Sequence, residues 1–198
     1  MGRKTSVKSN SGNDAPQIAP GLRKVAFQEL GVYHECKRLL LLFFYWDDHG
    51  QAAKGAQLFT DDAVLIVSPG LGAWKGKDSI SRSLMARQGH TDEGVLTIHH
   101  LHNFLVEPVS DKEAVGTAYY SVFKSVGKPG QGLPGKHVAK LEQPLSIGEF
   151  RTRFVKTDDG WRIAAHEIIY VFDANPGKDR RDAAYAKMQR FASSSDHG

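Results

Sequence analysis

An unbroken run of eight apolar side chains, LLLLFFYW at residues 39–46, constrains the fold of this chain more than any other feature. The run lies in a segment of about residues 22–47 that has no proline and one glycine, Gly31, which predicts a helix. A helix that is apolar on every face is normally surrounded by the rest of its domain. Because a bilayer span needs about 20 such residues, we expect a helix enclosed by the chain itself and no membrane partner.

Four long segments rich in Val, Ile, Tyr, Phe and Thr follow the helical part and predict β-strands. They cover about residues 94–107, 112–124, 145–156 and 161–172. Ahead of them, the sequence predicts a short helix over 51–59, strands over 62–70 and 72–76, and a helix over 77–88. Helices that precede a run of antiparallel strands indicate an α+β fold, with the helices on one face of a sheet.

The ends of the chain differ in composition from its middle and set the expected domain boundaries. Residues 1–21 are rich in Ser, Asn, Gly and Pro, which predicts a disordered basic tail. We expect a single α+β domain over 22–173 and a partly helical C-terminal extension over 174–198. Within the domain, residues 126–144 contain four glycines and three prolines and are predicted to form a long loop.

The basic balance of the chain comes from its N-terminal end. Residues 1–25 carry a net charge of +4, which equals that of the whole chain, so the remainder is neutral. The composition therefore gives no support for a nucleic-acid partner of the folded domain. The single cysteine, Cys36, excludes an internal disulfide, and the polar start MGRKTSVKSN lacks the apolar core of a signal peptide. Both observations favour a cytoplasmic protein.

Two aspartates, Asp47 and Asp48, stand at the predicted C-terminal end of the apolar helix. The helix dipole is negative there and disfavours a carboxylate by up to about 1 kcal/mol. Flanking Tyr45 and Trp46 indicate partial burial, and a carboxylate in such a position is a candidate base. The alternative is that both aspartates reach solvent where the chain leaves the helix.

The stretch TIHHLHNF at 97–104 contains three histidines within four positions. On a strand, alternate residues share a face, so His99 lies on the same side as Asn103, and His100 lies with His102 on the other. The three rings therefore cannot converge on one metal ion from this strand, and no spacing typical of a metal site occurs elsewhere. We expect no metal site; each histidine can also be an ordinary hydrogen-bonded strand residue.

Several other residues are candidates for a site. Arg153 shares a strand face with Arg151, and an arginine directed into a cavity can bind an anion or a leaving group. The alternative is an exposed pair on the sheet. Tyr119 and Tyr120 point to opposite faces of their strand, so one of them can reach the interior. Trp74 fits the core or the rim of a pocket better than a catalytic role.

The order of several short motifs resembles a known family. A long helix that ends near an aspartate is followed by LFTDDAV, GAWKGKDSI, TIHHLHN and, after a long strand, GEFRTRFVKTDDGWRIAAHEI. Over about residues 22–173 they resemble the SnoaL-like branch of the nuclear-transport-factor-2-like superfamily. The resemblance implies a cone-shaped α+β fold, in which N-terminal helices pack against a strongly curved, mostly antiparallel sheet around an internal pocket.

The resemblance also implies an activity. Family members such as scytalone dehydratase, bile-acid 7α-dehydratase and the polyketide cyclases are cofactor-independent enzymes. In the eliminating members an Asp–His pair removes a substrate proton, and the motifs place these roles on Asp48 and His99, with Arg153 as a charge-stabilising group. We therefore expect a lyase or isomerase that acts, without cofactor, on a hydrophobic cyclic molecule such as a polyketide, steroid or terpenoid. The substrate-binding candidates are Tyr45, Trp74, Asn103 and Tyr119.

A non-catalytic member of the same fold is the alternative. One version is the small subunit of a ring-hydroxylating dioxygenase, which would need an iron-bearing partner chain. Another is a module that binds a small ligand without transforming it. The cone fold is compatible with a homodimer or a homotrimer, and we expect a homo-oligomer.

Overall fold

The computed structural model describes residues 27–68 and 72–174. The predicted tail over 1–21 and the extension over 174–198 lie outside these residues, apart from residue 174. The order of elements in the described part agrees with the sequence prediction. The helices and strands are α1 (Phe27–Asp48), α2 (Ala52–Ala56), β1 (Phe59–Ser68), β2 (Gly72–Lys75), α3 (Lys77–Asp92), β3 (Val95–Pro108), β4 (Glu113–Val126), β5 (Ser146–Thr157) and β6 (Gly160–Asp173).

The six strands form one curved, open sheet in the order β2-β1-β6-β5-β4-β3. Neighbouring strands are antiparallel except β1 and β6, which pair in parallel. Strands β3 to β6 follow one another through short turns or a loop, whereas β1 and β6 are separated by most of the domain, as a parallel pair requires. The α+β fold expected from the sequence is confirmed.

The sheet has two distinct faces. We call the face that packs against the helices the inner face and the opposite one the outer face. Strand β5 alternates regularly between them, because successive side chains of a strand point in opposite directions. Its inner residues are Ser146, Gly148, Phe150, Thr152 and Phe154, all buried; its outer residues include Ile147, Glu149, Arg151 and Arg153.

Helix α1 supplies a large share of the core. Leu40, Phe43 and Phe44 are almost fully buried against the inner face, as the apolar run predicts. One stripe of the helix is not enclosed, since Leu41 is 45% exposed and Tyr45 is 53% exposed. No helix in the described part is long and apolar enough to cross a membrane.

The segment between β4 and β5 has no helix or strand but is held by backbone hydrogen bonds. The amide of Gly127 donates to the carbonyl of Gly94, and that of Gly130 donates to the carbonyl of Asp92, at 2.9 and 3.0 Å. The side chain of Leu133 lies beside Gly50, which has a φ of +65° and ends the turn after α1. This loop therefore covers the C-terminal end of α1, where Asp47 and Asp48 stand.

Candidate active site

The last residue of α1 and a residue of β3 form a tight polar pair. Oδ1 of Asp48 lies 2.6 Å from Nδ1 of His99, and Oδ2 accepts a hydrogen bond from the backbone N–H of His99 at 3.0 Å. The pair is largely enclosed, because the side chains of Asp48 and His99 are 8% and 12% exposed. Both oxygens of one carboxylate thus hold one histidine, which fixes the position of its ring.

The carboxylate also determines which ring nitrogen carries the proton. An ionised carboxylate only accepts hydrogen bonds, so Nδ1 of His99 must donate to it. In a neutral ring, Nε2 then has a free lone pair and can act as a proton acceptor. No other group among the described residues bonds to Nε2. This arrangement orients a histidine as a base.

One aromatic ring lies against the pair, and two more stack behind it. The ring of Phe44 lies 4.8 Å from that of His99, centroid to centroid. Phe44 stacks on Phe150 at 4.6 Å, and Phe150 stacks on Tyr120 at 4.2 Å, both nearly parallel. Burial raises the pKa of the Tyr120 phenol, so this hydroxyl stays protonated at ordinary pH. The interior next to His99 is therefore apolar and suited to flat, hydrophobic rings.

A second polar group of residues lies in the same interior, and no site role was predicted for it. Nη2 of Arg87 on α3 lies 3.3 Å from Oδ1 of Asp47. His166 on β6 is 1% exposed, and its Nδ1 lies 2.9 Å from the hydroxyl of Thr152. Burial, together with the positive charge of Arg87, lowers the pKa of His166 to about 3, so its ring is neutral. Alternation from the start of β6 places residue 166 on the outer face, but an irregularity at Ala164 shifts the count and turns His166 inward.

Arg153 does not lie with the Asp48–His99 pair, contrary to the role that the family motif gave it. It is on the outer face, where its Nη1 donates to Oε1 of Glu113 at 3.3 Å and its side chain is 50% exposed. It borders an open groove of about 380 Å³ on that face, together with Val115 and Ala165. Since Thr152 and Phe154 point inward, the residue between them must point outward.

No hydrogen bond or ring contact within the described residues joins the four substrate-binding candidates to the pair. Tyr119 is 55% exposed on the outer face, and its neighbour Tyr120 takes the inward position. Asn103 is exposed at a bulge in β3, with a φ of +51°, so the alternation that places His99 inward does not extend to it. Tyr45 stacks on His49 at the exposed side of α1, and Trp74 packs at the edge of the core on β2.

His100 and His102 lie on the outer face, as alternation along β3 predicts. Both are exposed, and Nε2 of His102 is 3.2 Å from the hydroxyl of Ser121. Within residues 27–68 and 72–174, no three His, Cys, Asp or Glu side chains are grouped as metal ligands would be.

Comparison with known families identifies the chain. The model of the SnoaL-like domain matches residues 28–167, which is more than two thirds of the sequence. The chain belongs to the SnoaL-like family. The resemblance seen in the sequence motifs is confirmed. A search of curated proteins found no match for this SnoaL-like protein.

Solved structures share the fold of this SnoaL-like protein at low sequence identity. A proposed scytalone dehydratase from Novosphingobium aromaticivorans has 19% identity and a TM-score of 0.60, over 75% of this chain and 90% of that one. A proposed aromatic ring hydroxylase from the same organism has 16% identity and a TM-score of 0.58, over 77% and 97%. A protein of Catenulispora acidiphila, solved in complex with S-DNPA, has 20% identity and a TM-score of 0.55, over 71% and 94%.

Proposed function

We propose that this SnoaL-like protein is a cofactor-independent enzyme of the lyase or isomerase type, in which His99 is the general base and Asp48 orients it. The observation that carries the proposal is the double contact of Asp48 with the ring and backbone of His99. A catalytic histidine needs a ring with a fixed tautomer and a fixed position, and here one carboxylate can provide both. The proposal includes dehydratase, cyclase and isomerase chemistry, which share this proton transfer.

His99 would remove a proton from a carbon next to an electron-withdrawing group. The C–H bond breaks, the proton moves to Nε2, and the carbon's electron pair enters the substrate. The ionised Asp48 then stabilises the imidazolium through the 2.6 Å contact. General base catalysis of this kind contributes about 10²–10⁴-fold to a rate, and positioning adds to it.

A hydrophobic ring compound is the substrate class that fits this interior best. The ring of Phe44 lies against His99, and the stacked rings of Phe150 and Tyr120 extend this apolar interior away from it. Flat, hydrophobic molecules such as polyketides, steroids or terpenoids match such walls. The structural neighbour solved with S-DNPA supports a small-molecule ligand for this fold.

The base can be tested before the natural substrate is known. Nitrobenzisoxazole opens to a coloured cyanophenolate when a base removes its ring proton, so it reports general base strength in an apolar pocket. We expect His99→Gln to lower the protein-dependent rate by about 10²-fold or more. His100→Gln is the matched control, because His100 is exposed on the outer face, and it should keep the wild-type rate. A wild-type rate no higher than that of His99→Gln contradicts the proposal.

A non-catalytic role is the second candidate. The structural neighbour described as a proposed aromatic ring hydroxylase supports a place beside an oxygenase. In that role the chain would co-purify with a larger iron–sulfur subunit from its native host, and His99→Gln would leave the oxygenase activity of the complex unchanged. If the chain co-purifies with that subunit but the complex loses activity in His99→Gln, the result supports the first candidate function, in which His99 is the general base.

We also propose that the chain forms a homodimer or homotrimer. Exposed apolar side chains on the outer face of the sheet support this proposal, since Leu105 and Tyr119 are each 55% exposed and Ile147 is 39% exposed. Light scattering would give the mass in solution, and a monomer at high concentration contradicts the proposal.

A further inference from the structure

The four most exposed large apolar side chains of the described residues lie at one end of the sheet. Val138 is 100% exposed, Leu141 83%, Val126 72% and Phe172 66%, and Val171, next to Phe172, is 61% exposed. We call these five residues the end patch. Because soluble domains rarely expose neighbouring large apolar side chains without a partner, the end patch indicates an interaction surface.

Backbone hydrogen bonds hold three chain segments together at this end. The amide of Leu145 donates to the carbonyl of Val122 at 2.7 Å, and the amide of Ala174 donates to the carbonyl of Leu145 at 2.8 Å. The end of β4, the beginning of β5 and the end of β6 therefore meet at one junction. Leu141 and Phe172 are within four residues of it along the chain.

Val138 is held close to the end of β4 by the residue before it. The ring of His137 lies beside Gly127, and its Nδ1 donates to the backbone carbonyl of Gln131 at 2.5 Å. Gly127 directly follows Val126. The two most exposed valines of the end patch therefore belong to one hydrogen-bonded segment.

Lysines flank the end patch. Residues 124–141 contain four lysines and no aspartate or glutamate. All four are exposed: Lys124, Lys128, Lys136 and Lys140. Val126 lies between the first two in sequence, Val138 lies between the last two, and Leu141 follows the fourth. The surface therefore combines projecting apolar side chains with positive charge.

Three acidic residues adjoin this segment and only partly offset its charge. Glu142 lies 3.8 Å from Lys140, and both side chains are exposed. Asp92 and Glu93 are exposed at the end of α3, where the amide of Gly130 donates to the backbone carbonyl of Asp92. Four positive charges against three negative ones leave an excess, and exposed ion pairs in water bind weakly enough to be exchanged for another anion.

The charges decide between the possible occupants of the end patch. Residues 175–198 follow directly on β6, but they contain five basic and three acidic residues and would bring further positive charge to the lysines. A second copy seated on the same patch would place lysine against lysine. Like charges oppose both arrangements, and an anionic partner is the one that the charges favour.

The shape of the end patch favours a lipid surface over an acidic protein. Val138 is fully exposed, so no described side chain forms a groove or a wall around it. Apolar side chains that project singly can enter the boundary between lipid headgroups and acyl chains, while lysines beside them stay at the anionic headgroups. The expectation of no membrane partner concerned a span, and contact with a bilayer surface requires none.

We propose that the end patch docks this protein on an anionic lipid surface, with Val138 and Leu141 inserted between headgroups and the four lysines at the lipid phosphates. The same segment covers the C-terminal end of α1, where Leu133 lies beside Gly50. Docking therefore turns this end of the domain toward the bilayer, in which hydrophobic ring molecules dissolve. The surface does not depend on the activity of His99 and is tested by binding alone.

Sedimentation of the full chain with vesicles tests the surface. We expect wild type to bind vesicles made of equal parts of phosphatidylcholine and phosphatidylglycerol about tenfold or more tightly than vesicles of phosphatidylcholine alone, and high salt should weaken the binding. Val138→Ser should weaken binding to the mixed vesicles by about fivefold or more, and addition of Leu141→Ser should weaken it further. Val109→Ser is the matched control, because Val109 is 63% exposed in the turn between β3 and β4, at the opposite end of the sheet.

The part played by the lysines needs a control for net charge, because residues 1–25 are also basic. Lys136→Gln combined with Lys140→Gln should weaken binding by about tenfold or more. Lys112→Gln combined with Lys156→Gln makes the same change in net charge at the other end of β4 and β5, and it should have little effect. Equal losses in the two double variants overturn the proposal. Failure of wild type to bind the mixed vesicles, the result that a protein partner predicts, also overturns it.

A tryptophan placed in the end patch reports insertion directly. In Val138→Trp, brominated phosphatidylcholine in the mixed vesicles should quench the added fluorescence, because bromine quenches an indole only at close contact. Val109→Trp is the matched control and should show no quenching beyond that of the three native tryptophans. Equal quenching in the two variants overturns the proposal.

Discussion

Asp48 binds His99 at two points, through its Oδ1 to the ring and through its Oδ2 to the backbone amide. The backbone contact matters because it fixes the carboxylate independently of the ring. A carboxylate that is already oriented loses little entropy when the ring binds it. The pair therefore combines an anchored acceptor at the end of α1 with a histidine whose ring lies against Phe44.

Replacement of Asp48 by asparagine keeps the size of the side chain but removes its negative charge. The amide oxygen can keep the bond to the backbone N–H of His99, but the amide nitrogen then donates toward Nδ1. The ring would have to carry its proton on Nε2, which removes the lone pair from the proposed base. We expect the rate with nitrobenzisoxazole to fall by about 10²–10⁴-fold, with little change in the melting temperature.

Asp92→Asn is the matched control for that experiment, because Asp92 is an exposed aspartate at the end of α3. It should keep both the rate and the stability of the wild type. Undiminished activity in Asp48→Asn would show that the tautomer of His99 is not important for the reaction.

Arg153→Gln should leave proton transfer unchanged. Arg153 is half exposed on the outer face and is paired only at the surface, with Glu113. Exposed ion pairs contribute about 0–1 kcal/mol to stability. The free energy of unfolding measured in urea should therefore fall by no more than that amount. A rate with nitrobenzisoxazole as low as that of His99→Gln would restore the catalytic role that the family motif gave to Arg153.

The sequence predicted the order of elements and the contact between Asp48 and His99, and the reasons are physical. Strand β3 is regular up to His102, so period-two alternation correctly separated His99 from His100 and His102 on the opposite face. Alternation fails at Asn103, where a bulge and a positive φ break the count, and no residue pattern marked it. The order of motifs then provided Asp48 as a partner 51 positions earlier.

Two residues show why the rest was not predicted. Arg153 was assigned by motif alone, although inward Thr152 and Phe154 force it to the outer face. Arg87 lies on a helix whose other polar residues are mostly at the surface, and its partner Asp47 is 40 positions away. Such a contact depends on how α3 packs against α1, which a single sequence does not encode in any local pattern.

Phe150→Ala should be among the most destabilising single changes in the domain. Phe150 is 1% exposed and lies between the rings of Phe44 and Tyr120. Loss of a buried phenylalanine costs about 3–5 kcal/mol, and urea unfolding measures it. Phe172→Ala, at a residue that is 66% exposed on β6, should cost well under about 1 kcal/mol. Similar losses in the two variants would contradict the central position of the ring stack.

The burial of His166 predicts that acid destabilises the fold. An unfolded histidine takes a proton near pH 6.5, whereas burial, and secondarily the charge of Arg87, lowers the pKa of His166 to about 3 in the folded chain. Between these values the unfolded state binds more protons, so stability is complete above pH 6.5 and falls as the pH decreases. One such group changes the free energy of unfolding by up to about 1.4 kcal/mol per pH unit.

Urea unfolding between pH 7 and pH 4 tests this. The free energy of unfolding should decline less steeply for His166→Gln than for wild type. His102→Gln, which changes an exposed histidine, should follow the wild type. Parallel declines in all three proteins would mean that His166 takes up its proton in the folded state.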